Sequence, residues 1–135
     1  MKKTEKHSWI EQSPAESEEL VVKLAQEGKS PPEIGMILRD VYGIPKVKKV
    51  LGMSILQILK KHNLQPKIPY DLMCLIRKSV ALQKHLSAHK KDFTAKRGYQ
   101  LTVAKIRKLA RYYIRRGYLP KDWRYSAEEA ALLVK

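Results

Sequence analysis

A dense group of basic side chains surrounds one carboxylate in the second half of the chain. Residues 84–116 contain eleven lysine or arginine residues and a single acidic residue, Asp92. Lysine and arginine hold phosphates through their charge, whereas a carboxylate accepts hydrogen bonds from the amino groups of bases. This combination predicts a structured nucleic acid as the ligand, and the residues next to Asp92 favour RNA.

Two histidines accompany this carboxylate. On a continuous helix, His85, His89 and Asp92 are expected to lie within about 60° of one another and to face away from the apolar side. Three interpretations are open: exposed polar residues near a helix end, a zinc site, or a contact with the minor groove of A-form RNA. Neighbouring lysines would repel a dication and no fourth ligand is visible, so we predict no metal. In the RNA minor groove a guanine amino group donates to a carboxylate, which explains an acid kept among cations.

The predicted last long helix carries basic residues on one face and apolar residues on the other. The basic residues that share about 120° of arc are Lys105, Lys108, Arg111 and Arg115. No acidic residue stands three or four positions from them, so this is not the salt-bridged face of an ordinary surface helix. Tyr112 lies inside the basic arc, where its ring is placed to stack on a nucleotide or a sugar. Simple solvation of a charged face remains the alternative.

The composition of the whole chain fits this interpretation. A chain of 135 residues with 44% hydrophobic residues can build one good core or two small ones. The net charge of +15 is uneven, since residues 1–66 contribute +3 and residues 67–135 contribute +12. Cys74 is predicted to be a buried thiol, and a single cysteine excludes a disulfide within the chain. With no uncharged run longer than ten residues and no secretory signal, we predict a cytosolic protein without a membrane contact.

Apolar residues recur with a period of about 3.6 throughout, which predicts an all-α protein. Ser13 and Ser30 each precede proline and, three positions on, glutamate, the pattern of a capped helix start. Gly28 and Gly43 are predicted to end these two helices. A basic loop at 46–49 and a third short helix from 54 to 62 complete the first half.

The second half is predicted to contain two long helices. Asp71 is expected to cap a helix that runs to about Lys91, and a turn at 92–98 leads to a last helix from about 99 to 116. Long helices with a short connection pack antiparallel. The predicted organisation is a helical extension at 1–64, a core at 65–125 and a tail at 126–135 that forms a short helix only when docked.

Motifs in a fixed order resemble a known family. They are His85-xxx-His89-Lys-Lys-Asp92, Arg97-Gly98, Lys105-x-Arg-Lys-xxx-Tyr112, Ser30-Pro-Pro-Glu-Ile-Gly35, Tyr42-Gly-Ile-Pro45 and Leu119-Pro-x-x-Trp123. Together they are similar to small-subunit ribosomal protein fifteen, and the last three to its archaeal and eukaryotic branch. The similarity covers nearly all of residues 8–130.

The resemblance implies a structural protein with a four-helix rRNA-binding core. It would bind the central domain of small-subunit rRNA at a three-way junction and at a minor-groove patch with a G·U pair beside a G·C pair. The implied partners are this rRNA and neighbouring ribosomal proteins, with a monomer outside the ribosome and neither cofactor nor small-molecule substrate.

Individual positions carry the implied contacts. His85 and Asp92 would belong to the minor-groove contact, and Arg97, Gly98 and Tyr112 to the junction contact. Bacterial members of the family have a serine that shares the minor-groove contact, and Ala95 stands at that position here. The hydroxyl of Thr94 is the candidate to replace the missing serine hydroxyl. The full predicted RNA-binding set is His85, His89, Lys90, Lys91, Asp92, Thr94, Lys96, Arg97, Gly98, Tyr99, Lys105, Lys108, Arg111, Tyr112 and Arg115.

Two other classes of function are weighed against rRNA binding. Helices at about 31–42 and 54–62 could form the helix-turn-helix of a DNA-binding regulator, with Ser54 and Gln57 as base readers. The second of these helices is mostly apolar, and the strongest charge lies elsewhere. An enzyme is not expected, because the chain has no phosphate-binding glycine loop, no nucleophile–base pair and no paired carboxylates.

Overall fold

The computed structural model describes residues 12–134, and within that range it contains seven helices and no strand. This confirms the prediction of an all-α protein. The helices are α1 (Pro14–Gln26), α2 (Pro31–Asp40), α3 (Val47–Leu51), α4 (Ile55–Lys61), α5 (Tyr70–Ala88), α6 (Phe93–Arg115) and α7 (Ala127–Leu133). The chain divides into two compact units, the first ending at Pro66 and the second beginning at Lys67. None of the described helices is both long and apolar enough to cross a membrane.

The first unit is built from short helices with strong caps. Ser13 accepts from the backbone N–H of Glu16 at 3.3 Å, and the Glu16 carboxylate accepts from the Ser13 N–H at 2.7 Å, which confirms the predicted capping box. Glu18 joins α1 to the end of α4 through Lys61 and His62, at 2.8 and 3.0 Å. The core consists of Val21, Leu24, Ile34, Leu38, Ile44, Val47, Ile58 and Leu59.

The predicted basic loop at 46–49 is wrong, because α3 occupies this segment. Val47 is buried and Val50 packs against the core, whereas Lys48 is exposed. A helix of five residues is too short to show a recurring apolar stripe, and its lysines are typical of a loop, so the sequence did not indicate a helix here. Val41 follows the end of α2 and is exposed.

The second unit is an antiparallel pair of long helices, α5 and α6, with α7 packed against α5. The start of α5 meets the end of α6, where the Tyr113 hydroxyl donates to the Asp71 carboxylate at 2.5 Å. Burial, aided by this hydrogen bond, raises the pKa of Tyr113, which therefore stays a donor at neutral pH. The shared core consists of Leu72, Ile76, Ile106, Leu119 and Ala130.

The prediction that Asp71 caps α5 is wrong, because Pro69 is the N-cap and Asp71 lies in the first turn. Its other carboxylate oxygen accepts from the backbone N–H of Leu72 at 2.8 Å. Cys74 is only partly buried, which corrects the prediction of a buried thiol. The predicted end of the last helix at about residue 116 is confirmed, because Gly117 has φ +76° and the N–H of Tyr118 bonds back to the Tyr113 carbonyl at 3.0 Å.

The C-terminal segment docks on the chain itself. Ala130 of α7 is buried, and the Tyr125 hydroxyl lies 2.9 Å from the hydroxyl of buried Ser79 on α5. The sequence predicted a short helix in residues 126–135 that forms only when it is docked. In the structure this helix is α7, and it packs against α5 of the same unit. The four-helix core and the division at 1–64, 65–125 and 126–135 stay predictions.

Candidate nucleic-acid interface

The turn between α5 and α6 holds the first group of predicted site residues. The helix α5 ends at Ala88, and His89 leaves the helical conformation with φ −121° and ψ 72°. Asp92 begins α6 as its N-cap, because its Oδ1 accepts from the Ala95 N–H at 3.0 Å. The predicted end of the helix at about Lys91 is therefore three residues too late, and the predicted turn at 92–98 is wrong, because α6 begins six residues before the predicted start at 99.

The three candidate side chains do not share one helix, yet the fold brings them together. The Nε2 atom of His85 lies 2.9 Å from Oδ2 of Asp92, and the rings of His85 and His89 are 4.7 Å apart between centroids. The reversal of the chain folds the start of α6 back onto the last turn of α5. A shallow depression results, lined by His85, Ala88, His89, Lys90, Lys91 and Asp92.

The hydrogen bonds between and around His85 and Asp92 fix the state of the Asp92 carboxylate. The pKa of Asp92 is lowered, first by the backbone N–H of Ala95 and then by His85. An ionised carboxylate can only accept, so Nε2 of His85 is the donor in this bond. The carboxylate has about four lone-pair positions, of which these bonds use two. With 39% of its side chain exposed, Asp92 retains the capacity to accept from a ligand.

Replacing Asp92 by asparagine is expected to lower stability in a pH-dependent way. Asparagine keeps the capping bond but loses the charge at the helix N-terminus. Because the pKa of Asp92 is lowered by folding, the advantage of the carboxylate is present above its ordinary value near 3.9 and disappears as the pH falls through the lower folded value. Thermal midpoints of the native chain and Asp92→Asn should differ most above about pH 5, and the difference should shrink as the pH falls below about 3.9. A constant difference across this range would contradict the assignment.

The second group of site residues lies along α6, where the structure confirms the two-faced pattern. Ile106 and Ala110 are buried on one side, and the basic residues on the other side are exposed, namely Lys105, Lys108, Arg111 and Arg115. Among residues 12–134 none of these four forms a salt bridge. Tyr112 is 43% exposed and lies beneath the Arg116 guanidinium, 5.6 Å from the ring centroid.

Gly98 lies inside α6 and not in a turn, which changes its interpretation. A Cβ atom at this position would meet nothing within 4 Å, so neither packing nor an unusual backbone conformation requires glycine here. Glycine in a helix is about 1 kcal/mol less favourable than alanine, and a close approach of the ligand at Gly98 stays a prediction. Arg97 beside it is exposed.

The remaining residues of the predicted RNA-binding set on α6 differ in how far they are exposed to solvent. Thr94 and Lys96 are exposed in the first turns of α6, next to the Asp92 cap. Tyr99 is partly buried, and burial together with a hydrogen bond to Tyr125 raises its pKa. Tyr99 therefore contacts the C-terminal segment through Tyr125, and its RNA contact stays a prediction.

Sequence reasoning missed Phe93, whose side chain is 72% exposed at the first position of α6. The residue was missed because a turn was predicted at 92–98. The signal that could have found it is that Phe93 is the one phenylalanine of the chain and stands within the basic segment. Within residues 12–134 no group of three histidine, cysteine or acidic side chains is arranged to hold a metal.

These features define a small, basic, all-α protein with an acid-poor helical face. A family model described as Ribosomal protein S15 matches residues 55–133, and another described as Ribosomal S13/S15 N-terminal domain matches residues 2–44. The small ribosomal subunit protein uS15 of Methanobrevibacter smithii is 50% identical, with 94% of this chain and 96% of that protein covered. The proteins of the same name from Staphylothermus marinus and Hyperthermus butylicus are 49% and 48% identical, each over 93% of this chain and over 81% and 78% of their own lengths.

The chain belongs to the ribosomal protein S15 family. The resemblance seen in the ordered motifs is thereby confirmed, including its archaeal character, since all three relatives are archaeal proteins. The family is one of structural ribosomal proteins, so the prediction that the chain is not an enzyme is also confirmed.

Proposed function

We propose that the chain is a structural component of the small ribosomal subunit in the cytoplasm, where it binds small-subunit rRNA through the α5–α6 hairpin. The observation that carries this proposal is the exposed basic face of α6, which forms no salt bridge within residues 12–134 and lies on the helix that Asp92 caps. Cations along one helix, together with an exposed carboxylate acceptor at the start of that helix, suit a ligand with both phosphates and base edges. Neighbouring ribosomal proteins are the further partners, and the chain is a monomer before it joins them.

The length of α6 suits two separate contacts on the rRNA. Asp92 precedes the helix and Tyr112 lies near its end, twenty residues on, so about 30 Å separates them along the axis. The pair at the start would read the minor-groove patch, where Asp92 accepts from a guanine amino group and His85 offers an acceptor to a 2′-hydroxyl. Arg97, Gly98 and Tyr112 would bind the three-way junction. One rigid helix thus holds both features of the central domain in register.

The DNA-binding alternative loses support from the geometry of α4. Its two candidate base readers bond to each other, with the Ser54 N–H donating to Oε1 of Gln57 at 2.9 Å and the Gln57 N–H donating to the Ser54 hydroxyl at 3.3 Å. Ile58 and Leu59 of the same helix are buried in the core of the first unit. The capping box therefore engages both candidate base readers, and the other exposed polar residues of α4, Lys60 and Lys61, lie in its last turn.

The substitution Asp92→Asn tests the proposed minor-groove contact. Removing a negative charge from a chain of net charge +15 should tighten binding to any polyanion. If Asp92 accepts from a guanine amino group, binding to a transcript of the rRNA central domain should instead weaken, by about 1–3 kcal/mol. Asparagine preserves the α6 cap, so a loss of helix cannot explain the result.

Inosine substitution provides the matched change on the RNA, because inosine lacks the guanine amino group. Replacing the partner guanine should weaken binding of the native chain and leave Asp92→Asn almost unaffected. Equal binding of both RNAs by the native chain would eliminate the contact, and Asp92 would then be a helix cap alone.

A further inference from the structure

Phe93 is the only phenylalanine of the chain, and its side chain lies on the surface. At 72% it is the most exposed of the large hydrophobic residues within the described range. Burying an aromatic ring removes about 150–250 Å² from water, and phenylalanine has no polar atom that would favour solvent. A single exposed apolar residue needs no explanation by itself, so the argument depends on what surrounds this one.

The surroundings of Phe93 are basic. It directly follows Asp92, the only acidic residue between positions 84 and 116. At 100° per residue, Arg97 lies about 40° from Phe93 and one turn further along α6, and Arg111 lies on the same side about 27 Å further along the axis, so the ring projects from the basic side of the helix. Lys91 and Lys96 beside it are exposed. This charge complements a polyanion with flat apolar faces, which describes an RNA strand with accessible bases better than an apolar groove of another protein.

We propose that Phe93 is an RNA-contact residue that stacks on an unpaired nucleobase next to the Asp92 contact. The inference rests on the proposed rRNA-binding function and adds a partner for one residue. A base inside an A-form duplex shows only its edge in the shallow groove, so a ring that stacks needs a base that is not enclosed in the duplex. The backbone N–H of Phe93 donates to the Lys91 carbonyl at 3.0 Å, and the Asp92 cap fixes the helix start. The ring therefore stands on an ordered element and little backbone must be ordered on binding.

Affinity for a transcript of the rRNA central domain tests the proposal. We expect Phe93→Ala to bind about 5- to 50-fold more weakly, in the range that base–aromatic stacking supports, and Phe93→Tyr to bind like the native chain. Phe93→Leu keeps an apolar side chain without a π face and should bind almost as weakly as the alanine variant. The salt dependence should not change, because no phosphate contact is removed. Leu132→Ala is the matched control, since Leu132 is 68% exposed but lies on α7.

Chemical modification of unpaired bases locates the contact on the same transcript. The native chain should protect one or two bases that stay reactive with Phe93→Ala, beside the positions that Asp92→Asn affects. If the native chain binds while Phe93→Ala gives the same affinity and footprint, stacking is refuted and the proposed function stands. Native-like binding by Phe93→Leu would also refute stacking, since it would show apolar packing alone. Failure of the native chain itself to bind the transcript would overturn both proposals.

Discussion

Replacing Lys105, Lys108, Arg111 and Arg115 together by alanine is expected to reduce affinity for the rRNA central domain about a hundredfold or more at physiological salt. These side chains are exposed and form no salt bridge within the described residues, so their charge is available to phosphates. Each neutralised phosphate contributes about 0.9 to the log–log salt slope on a duplex, so four lost contacts should flatten the slope by about 3 to 4. Titrations between 50 and 200 mM salt measure both quantities.

A second variant, which loses the same number of positive charges elsewhere in the chain, distinguishes the effect of the α6 positions from the effect of net charge. Lys23, Lys29, Lys46 and Lys48 are exposed residues of the first unit, and changing them to alanine removes the same four charges. We expect the matched variant to lose little affinity and to keep most of the native salt slope. Alanine favours the helix, so far-UV circular dichroism should show α6 intact in the first variant. Equal losses in the two variants would show that net charge alone drives binding and that α6 is not the interface.

Helix starts and stops with local chemistry were predictable from the sequence. The capping box at Ser13 needs only one serine and a glutamate three residues later, and both bonds are present. Gly117 similarly ends α6 because a positive φ at that position is easy for glycine. Such signals depend on a few neighbouring residues, and tertiary packing did not override them.

The α5–α6 turn was not predictable in the same way, because its sequence permits two interpretations. Asp92 fits the polar face of a continuing helix as well as the cap of the next one, and neither glycine nor proline marks the break. The predicted proximity of His85 and Asp92 was nevertheless right, at 2.9 Å, although the single helix assumed for it was wrong. The chain reversal, and not helical periodicity, places the two side chains together.

Contacts between distant residues had no local signal at all. The Tyr113 hydroxyl reaches Asp71, 42 positions earlier, and the Tyr125 hydroxyl reaches Ser79, 46 positions earlier. Each joins a polar group to a partner that only the packing of α5 against its neighbours provides. These bonds fix how α6 and the C-terminal segment sit on α5, and so they position the basic face without belonging to it.

The core of the second unit carries the largest expected effect on stability. Ile106 has no exposed surface and belongs to the same cluster as Leu72 and Ile76 of α5. Truncation to alanine leaves a cavity where α5 and α6 meet, which should cost about 2–5 kcal/mol, while Ile106→Val should cost about 0.5–1.5 kcal/mol. For a unit of this size each kcal/mol lowers the thermal midpoint by about 4–8 °C, so the alanine variant should melt at least 8 °C lower.

Ile34→Ala is the matched substitution in the other unit, where Ile34 is equally buried within a separate cluster. Amide hydrogen exchange should show loss of protection in α5 and α6 for Ile106→Ala, and in α1 and α2 for Ile34→Ala. Because the proposed interface lies wholly on the α5–α6 hairpin, only Ile106→Ala should also weaken binding to the rRNA transcript, and increasingly so as temperature rises towards its midpoint. If Ile34→Ala weakens rRNA binding as strongly, the recognition surface must include the first unit, and the hairpin alone does not account for it.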